Sequence, residues 1–341
     1  MTMRAYRTAL IGFGKMAQGY SHDAAMALYY PYASHAQVLR DNPRFDWCAV
    51  VDPDEGARSS AIRDWGISNS VPSPESIVGR EEIEVAVLAT PPDRRLGALD
   101  SLPALKAVLV EKPLGVDLES ARVFVEACRE RNILVQVNLW RRADHALSRL
   151  AKGELQNRIG RVQAATFVYG NGLRNNGTHM VDLARIFFGE IARVQRIGDG
   201  EGHVEGPIPG DANPTFAVVT ETGLNVLFQP LSFAHYRENG VTLWGETGRL
   251  EIMNEGLVIQ SCGVAENRAM QGEAEIANDR PERLETSVGH ALCRLYDDLA
   301  AALDANDATR LCSPGVSALQ TTAIVEAVAA APVDGRWIDV P

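Results

Sequence analysis

The sequence predicts an α/β protein in two parts: a doubly wound parallel sheet over residues 1–138, then an α+β region, residues 139–341, on an open, largely antiparallel sheet. Three observations carry this. From Thr8 to Asn138 short apolar runs alternate with helical stretches, the pattern of a parallel sheet. One such run, Ala107 to Val110, ends in Glu111-Lys112-Pro113, and ligands bind just beyond the carboxyl ends of strands in sheets of this kind. Beyond Arg141-Arg142 apolar and polar residues alternate between Thr-Gly turns, the signal of antiparallel hairpins.

At 341 residues, 46% of them hydrophobic, the chain is long enough for two domains with sizeable cores. A net charge of −11 argues against a nucleic-acid or anionic-membrane surface. No apolar run reaches membrane-span length, and the start from Met1 to Arg7 lacks the long apolar core of a secretory signal. The five cysteines form no CxxC pair and read as thiols in a reducing cytoplasm.

Taken in order, Thr8 to Ile11 is a strand running into Gly12-Phe13-Gly14-Lys15-Met16-Ala17. In such a G-x-G-x-x-A element the first glycine permits a tight turn, the second lets a pyrophosphate approach, and a following helix points its N-terminus at the phosphates. A plain strand-helix turn is the competing reading. The strand Trp47 to Val51 ends in Asp52, whose carboxylate can accept both ribose hydroxyls and would repel a 2′-phosphate, favouring NAD over NADP. Asp52 lies 38 residues past Gly14, where about 20 is usual. The excess falls in Tyr20 to Tyr32, either an insertion near the cofactor mouth or a packed surface loop. Val85 to Ala89 is a strand stopped by Thr90-Pro91-Pro92, since a proline pair cannot continue a central strand. After the Lys112 strand, where the Lys-Pro bond can be cis, Asp117 caps a helix with Leu118, Ala121, Val125 and Cys128 on one face. Ile133 to Val137 is the next strand, ending in Asn138. The strand ends therefore bring Gly12, Gly14, Asp52, Thr90, Lys112 and Asn138 to one sheet edge.

In the second part a helix from Ala146 to Leu155 leads to a strand from Arg161 to Tyr169. Strands follow at Phe216–Thr220, Leu224–Gln229, Val241–Trp244 and Arg249–Met253, with helices against one sheet face. Val288, Leu292, Leu295, Leu299 and Leu303 line an amphipathic helix, and a last helix runs from about Val316 to Ala330.

A second constellation stands at Asn175-Asn176-Gly177-Thr178-His179-Met180-Val181-Asp182. Thr178 is a candidate N-cap for a helix that Gly189 ends. If the preceding turn is helical, Asn175, His179 and Asp182 share a face at i, i+4 and i+7. His179 in a first turn would stay neutral and able to take a proton, with Asp182 holding its tautomer. The competing reading is a structural histidine. His203, His235 and His290 have no comparable neighbours, and no Cys or His pair has metal-ligand spacing on a common element.

With these motifs in order, the chain resembles the glucose–fructose oxidoreductase / inositol dehydrogenase (Gfo/Idh/MocA) family. The matches are Gly12 to Ala17, Ala89-Thr90-Pro91-Pro92, Glu111-Lys112-Pro113 and Gly177 to Asp182. The resemblance implies an N-terminal NAD(P)-binding Rossmann domain and a C-terminal substrate-binding domain whose open sheet face makes a homodimer or homotetramer. It implies hydride transfer between a nicotinamide cofactor and a hydroxyl carbon of a sugar, sugar nucleotide or cyclitol. Cofactor contacts fall on Gly12, Phe13, Gly14, Lys15, Met16, Asp52, Ala89, Thr90, Pro91, Glu111, Lys112 and Asn138, and catalysis on Lys112, His179, Asn175 and Asp182.

Two positions depart from the family pattern: Asn175 stands where many relatives have aspartate, and Arg95 where many have histidine. An amide can orient a hydroxyl or ketone but cannot act as a base, so proton transfer falls to His179 and Lys112. Asparagine-bearing relatives tilt the substrate toward a nucleotide-linked or acidic sugar. The alternatives are a catalytically silent, cofactor-sensing regulator and an enzyme that uses NAD transiently to cleave glycosides.

Overall fold

The computed structural model describes residues 4–198 and 206–341, which pack as two compact units. The first comprises residues up to Ala143 together with Gly289–Leu319; the second comprises Asp144–Val288 and Gln320–Pro341. The sequence division at 138/139 does not anticipate the return of 289–319. Met1 to Met3 and His203 lie outside the described residues.

In the first unit six strands, β1 (Tyr6–Ile11), β2 (Phe45–Val51), β3 (Ser70–Val71), β4 (Val85–Leu88), β5 (Ala107–Val110) and β6 (Leu134–Val137), form one sheet in the order β3-β2-β1-β4-β5-β6. Every pairing is parallel, so all carboxyl ends share an edge. The strands are apolar on both faces because both faces are covered. Ala9, Ile11, Leu88, Val108 and Val110 pack toward Phe124, Val125 and Cys128 of the helix Leu118–Glu130. The alternate residues Leu10, Val50, Val87 and Leu109 join Val38 and Leu39 with Leu292, Leu295 and Leu299 of the helix Ala291–Ala305. That amphipathic stripe thus completes the parallel-sheet core, and the strand pattern of the intervening region gave no hint of it. Asp117 caps the helix Leu118–Glu130 with a box closed by Ser120.

The helix expected directly after the glycine turn is interrupted. Residues 15–18 make one wide turn, with the Gln18 and Gly19 amides both donating to Gly14 O. The chain then loops out, and the amides of His35 and Ala36 donate to Met16 O and Ala17 O. There the helix His35–Asp41 takes over, with Ser34 and Gln37 forming its capping box. Without residues 19–34, about 22 residues separate Gly14 from Asp52, near the ~20 of the dinucleotide fingerprint.

The second unit contains β7 (Val162–Tyr169), β8 (Ile191–Gly198), β9 (Thr215–Thr220), β10 (Asn225–Pro230), β11 (Gly240–Gly245), β12 (Gly248–Met253), β13 (Val258–Glu266), β14 (Ala274–Ile276), β15 (Glu282–Leu284) and β16 (Ile338–Asp339). The sheet runs β14-β13-β12-β11-β7-β10-β9-β8-β16, with β15 also on β13. Only β7 and β10 pair in parallel. One face carries Phe167, Phe216 and Phe228, the last two stacked at 4.4 Å, against Val181, Ala184, Ile324 and Val328. The helix expected from Ala146 to Leu155 is broken: Gly153 takes φ +122° inside a wide turn, Leu150–Glu154, between the helices His145–Arg149 and Leu155–Ile159.

Candidate functional site

The edge formed by the carboxyl ends of β1 to β6 begins with the glycine turn. Gly12 has φ +89°, and a β-carbon there would lie 2.7 Å from Ala89 O, so only glycine fits between β1 and β4. Nothing lies within 4 Å of a β-carbon built on Gly14, which leaves the turn open to an approaching group. Phe13 and Met16 direct their side chains into the core instead. The Phe13 amide donates to Asp52 Oδ2 at 2.7 Å and the Asp54 amide to Oδ1 at 2.9 Å. Asp52 is thus fixed at the end of β2. Arg58 Nη1 donates to the carbonyls of Asp52 and Pro53, at 2.9 and 2.8 Å. Lys15 Nζ lies 5.1 Å from the centre of the Tyr20 ring.

At the ends of β4, β5 and β6 the site is tied together by buried polar groups. The Lys112-Pro113 bond is cis. Arg95 is 1% exposed; its Nε and Nη2 donate to Thr90 O and its Nη1 to Pro113 O and Leu114 O. It therefore links the Thr90-Pro91-Pro92 turn to the Lys112-Pro113 turn. Burial draws its pKa down to about 10, against the opposing charges of Glu111 and Asp93. Arg95, where the resemblance leads one to expect a histidine, is a structural cation here.

Glu111 Oε1 accepts from His35 Nε2 at 2.9 Å and from Asn138 Nδ2 at 2.5 Å, and His35 Nδ1 lies 2.7 Å from the Tyr296 hydroxyl. Burial would raise the Glu111 carboxyl, but the hydrogen bond and charge of His35, the hydrogen bond from Asn138 and the charge of Lys112 outweigh it and hold it below the usual carboxylate range. Asn138 Oδ1 and Thr90 Oγ1 are buried without a hydrogen-bond partner. Unpaired buried polar atoms at ligand-bearing strand ends mark positions a bound group would satisfy. Together with the open Gly14 turn and the fixed Asp52 carboxylate, they fit a dinucleotide.

In the second unit the Asn175–Asp182 stretch is helical throughout, but its start is displaced. A wide turn, Leu173–Gly177, runs without a break into the helix Thr178–Phe188. Thr178 is therefore inside the helical stretch, in αR conformation, and caps nothing. Instead Asp211 takes the amides of Arg174 and Asn175, both at 2.9 Å, and Asn213 Oδ1 takes the Gly172 amide at 2.8 Å. Gly172, at φ +96°, leaves room for this: a β-carbon there would sit 2.0 Å from Asp211 Oδ2.

Asn175 Nδ2 donates to Asn171 O at 3.1 Å, and His179 is 9% exposed. Asp182 Oδ1 accepts the Thr321 hydroxyl at 2.8 Å and lies 3.6 Å from Arg185 Nη1. Those contacts anchor Asp182 to the helix Gly315–Ala330. Sequence reasoning missed His35, Tyr296, Asp211 and Thr321. The Ser34-x-x-Gln37 box would have placed His35 at a helix start; for the others the partner lies too far along the chain to leave a local signal. Among the described residues no cluster of three His, Cys, Asp or Glu has metal-binding geometry, and no helix is long and apolar enough to cross a membrane.

Residues 6–139 match the model of an oxidoreductase family with an NAD-binding Rossmann fold. The chain is 32% identical to rabbit (Oryctolagus cuniculus) trans-1,2-dihydrobenzene-1,2-diol dehydrogenase over 139 residues, 40% of this chain and 42% of the rabbit protein. It is 25% identical to 1,5-anhydro-D-fructose reductase of Ensifer adhaerens over 248 residues, 65% of this chain and 72% of that one. The chain thus spans less than half of the rabbit relative. In fold it is similar to the WlbA dehydrogenase of Bordetella pertussis, solved with NADH and UDP-GlcNAcA, with a TM-score of 0.71 over 99% of both chains at 19% identity. Over residues 6–139, its NAD-binding part, the chain is thus similar to the Gfo/Idh/MocA oxidoreductase family.

Proposed function

We propose that the protein is an NAD-dependent oxidoreductase that transfers a hydride between the nicotinamide and a hydroxyl or keto carbon of a sugar, sugar nucleotide or cyclitol. The observation that carries this reading is Glu111-Lys112-Pro113 at the end of β5, on the strand edge that also bears the open Gly14 turn, the fixed Asp52 carboxylate and the unpaired Asn138 Oδ1. The names of the relatives, reductases and dehydrogenases of sugar-like alcohols among them, support the substrate class. Bound NAD supplies the hydride acceptor or donor. A hydroxyl that loses hydride from its carbon must also lose its proton. His179 takes that proton on its ring, Lys112 Nζ stabilises the developing alkoxide, and Asn175 orients the oxygen. Asp182 serves by anchoring the helix that carries His179. In ketone reduction the same groups act in reverse.

Asp52 favours NAD over NADP, because a 2′-phosphate would meet its carboxylate. Arg58 follows closely in sequence, and its Nη1 is committed to backbone carbonyls. We further place the protein in the cytoplasm as a homodimer or homotetramer joined through the outer face of the second sheet. Free thiols at all five cysteines support the first, and exposed Trp244, Ile197 and Val264 on strands of that sheet support the second.

The test is a panel of sugars, cyclitols and sugar nucleotides assayed for a change in NADH absorbance, with NAD and NADP in parallel. Turnover that needs NAD yet leaves NADH constant would replace this reading with transient oxidation in glycoside cleavage. NAD binding with no turnover on any member would favour a regulator.

A further inference from the structure

The chain Tyr296–His35–Glu111–Asn138 has a direction. The buried Tyr296 hydroxyl lies 2.7 Å from His35 Nδ1 and fixes one side of the ring. Glu111 is held as a carboxylate, so His35 Nε2 must carry a proton and donate it to Oε1. An ionised carboxylate can only accept, so Asn138 must turn its amide nitrogen toward the same oxygen. That fixes which way the amide faces. Its Oδ1, on a residue 2% exposed, is left as a buried acceptor with no partner. Leaving such an acceptor unpaired is costly, so the arrangement suits a ligand that brings an N–H donor.

We propose that His35 is a positioning residue for the nicotinamide end of the cofactor: it holds Glu111 Oε1, which holds Asn138 Nδ2, and so presents Asn138 Oδ1 as the acceptor for the carboxamide N–H. The inference rests on the reading of the chain as an NAD binder and does not require turnover. His35 stands where the helix resumes after the looped-out residues 19–34, so that detour ends on the group that sets the amide. Removing His35 takes a donor from Glu111. A Glu111 carboxyl that can then hold a proton can donate to Asn138 Oδ1, and the amide is free to turn over.

The experiment measures calorimetric affinity of the full chain for NAD⁺ and for its 3-acetylpyridine analogue, which keeps the carbonyl and replaces the carboxamide NH₂ with a methyl group. Wild type binds NAD⁺ more tightly, by roughly threefold to tenfold for one hydrogen bond. In His35→Leu that ratio collapses toward one. In His35→Gln, whose amide can accept from Tyr296 and donate to Glu111, most of it returns. Tyr296→Phe, which leaves the imidazole in place, narrows the ratio and serves if His35→Leu fails to fold. A purely structural role would weaken both dinucleotides equally, and an unchanged ratio in the folded His35 and Tyr296 variants overturns the proposal. Equal wild-type affinities overturn it while leaving NAD binding intact; failure to bind either dinucleotide removes both readings.

Discussion

The strand-end residues of the first unit and the helical residues of the second are held by opposite means. Asp52, Thr90, Lys112 and Asn138 come from four separate loops, and buried side chains that do no chemistry tie three of those loops together. Arg95 joins the turns after β4 and β5, and Glu111 joins Asn138 to His35. Asn175, His179 and Asp182 come from one continuous helical stretch whose own geometry spaces them. Asp211 holds the start of that stretch, and Thr321 meets Asp182 farther along it. A site assembled from loops spends its buried polar groups on ties between turns; this helical stretch spends them on a cap and on one tie to a neighbouring helix.

The largest effect separates the proposed chemistry from both kinds of support. Lys112→Ala and His179→Ala should each lower turnover by roughly a hundredfold or more, the usual loss for a proton-transfer or charge-stabilising partner. NAD affinity should stay near wild type in His179→Ala. Full activity in either variant would reduce that residue to scaffold.

The next effects compare a cross-tie with a cap. Arg95→Met leaves the carbonyls of Thr90, Pro113 and Leu114 without their donor in a buried setting, at about 1–3 kcal/mol for each group left unsatisfied. Urea unfolding should therefore show a loss of several kcal/mol, and NAD affinity should fall with it. Asp211→Ala removes a capping carboxylate from two amides and should cost about 1–2 kcal/mol. Its effect should stay with the helix: substrate affinity weakens while NAD affinity holds. If Arg95→Met costs less than Asp211→Ala, the contrast between the two regions fails.

The same contrast explains what the sequence discloses. Strand positions and strand ends are legible because period and turn chemistry are local: Thr90-Pro91-Pro92 stops β4, and Asp117 starts its helix. The 38-residue gap before Asp52 points to the detour at 19–34. What ties the loops is not legible. Nothing near His35 reports that Glu111 and Tyr296, 76 and 261 residues away, will flank its ring. Thr178 looks like a cap because threonine is a good one, yet the wide turn from Leu173 carries the helix past it and Asp211 does the capping. The Val288–Leu303 stripe reads correctly as an amphipathic helix, but periodicity cannot say which sheet its apolar face will cover.

The smallest effect tests whether the Glu111 tie is ionic in the folded protein. Burial disfavours its carboxylate, and the hydrogen bond and charge of His35 with the Asn138 donor and the Lys112 charge more than offset that, so it titrates below its unfolded value of about 4.3. A carboxyl depressed on folding contributes stability that is fully present above the unfolded pKa and is lost as pH falls through the folded pKa. Glu111→Gln keeps an acceptor for His35 and Asn138 but cannot titrate. Its stability should lie below wild type at pH 7, and the two should converge as pH drops through the acid range, wild type falling more steeply. Urea midpoints taken from pH 7 to pH 3 read this directly. Parallel curves would mean that Glu111 gains nothing from its charge, and that the amide of Asn138 is set by shape rather than by an anion.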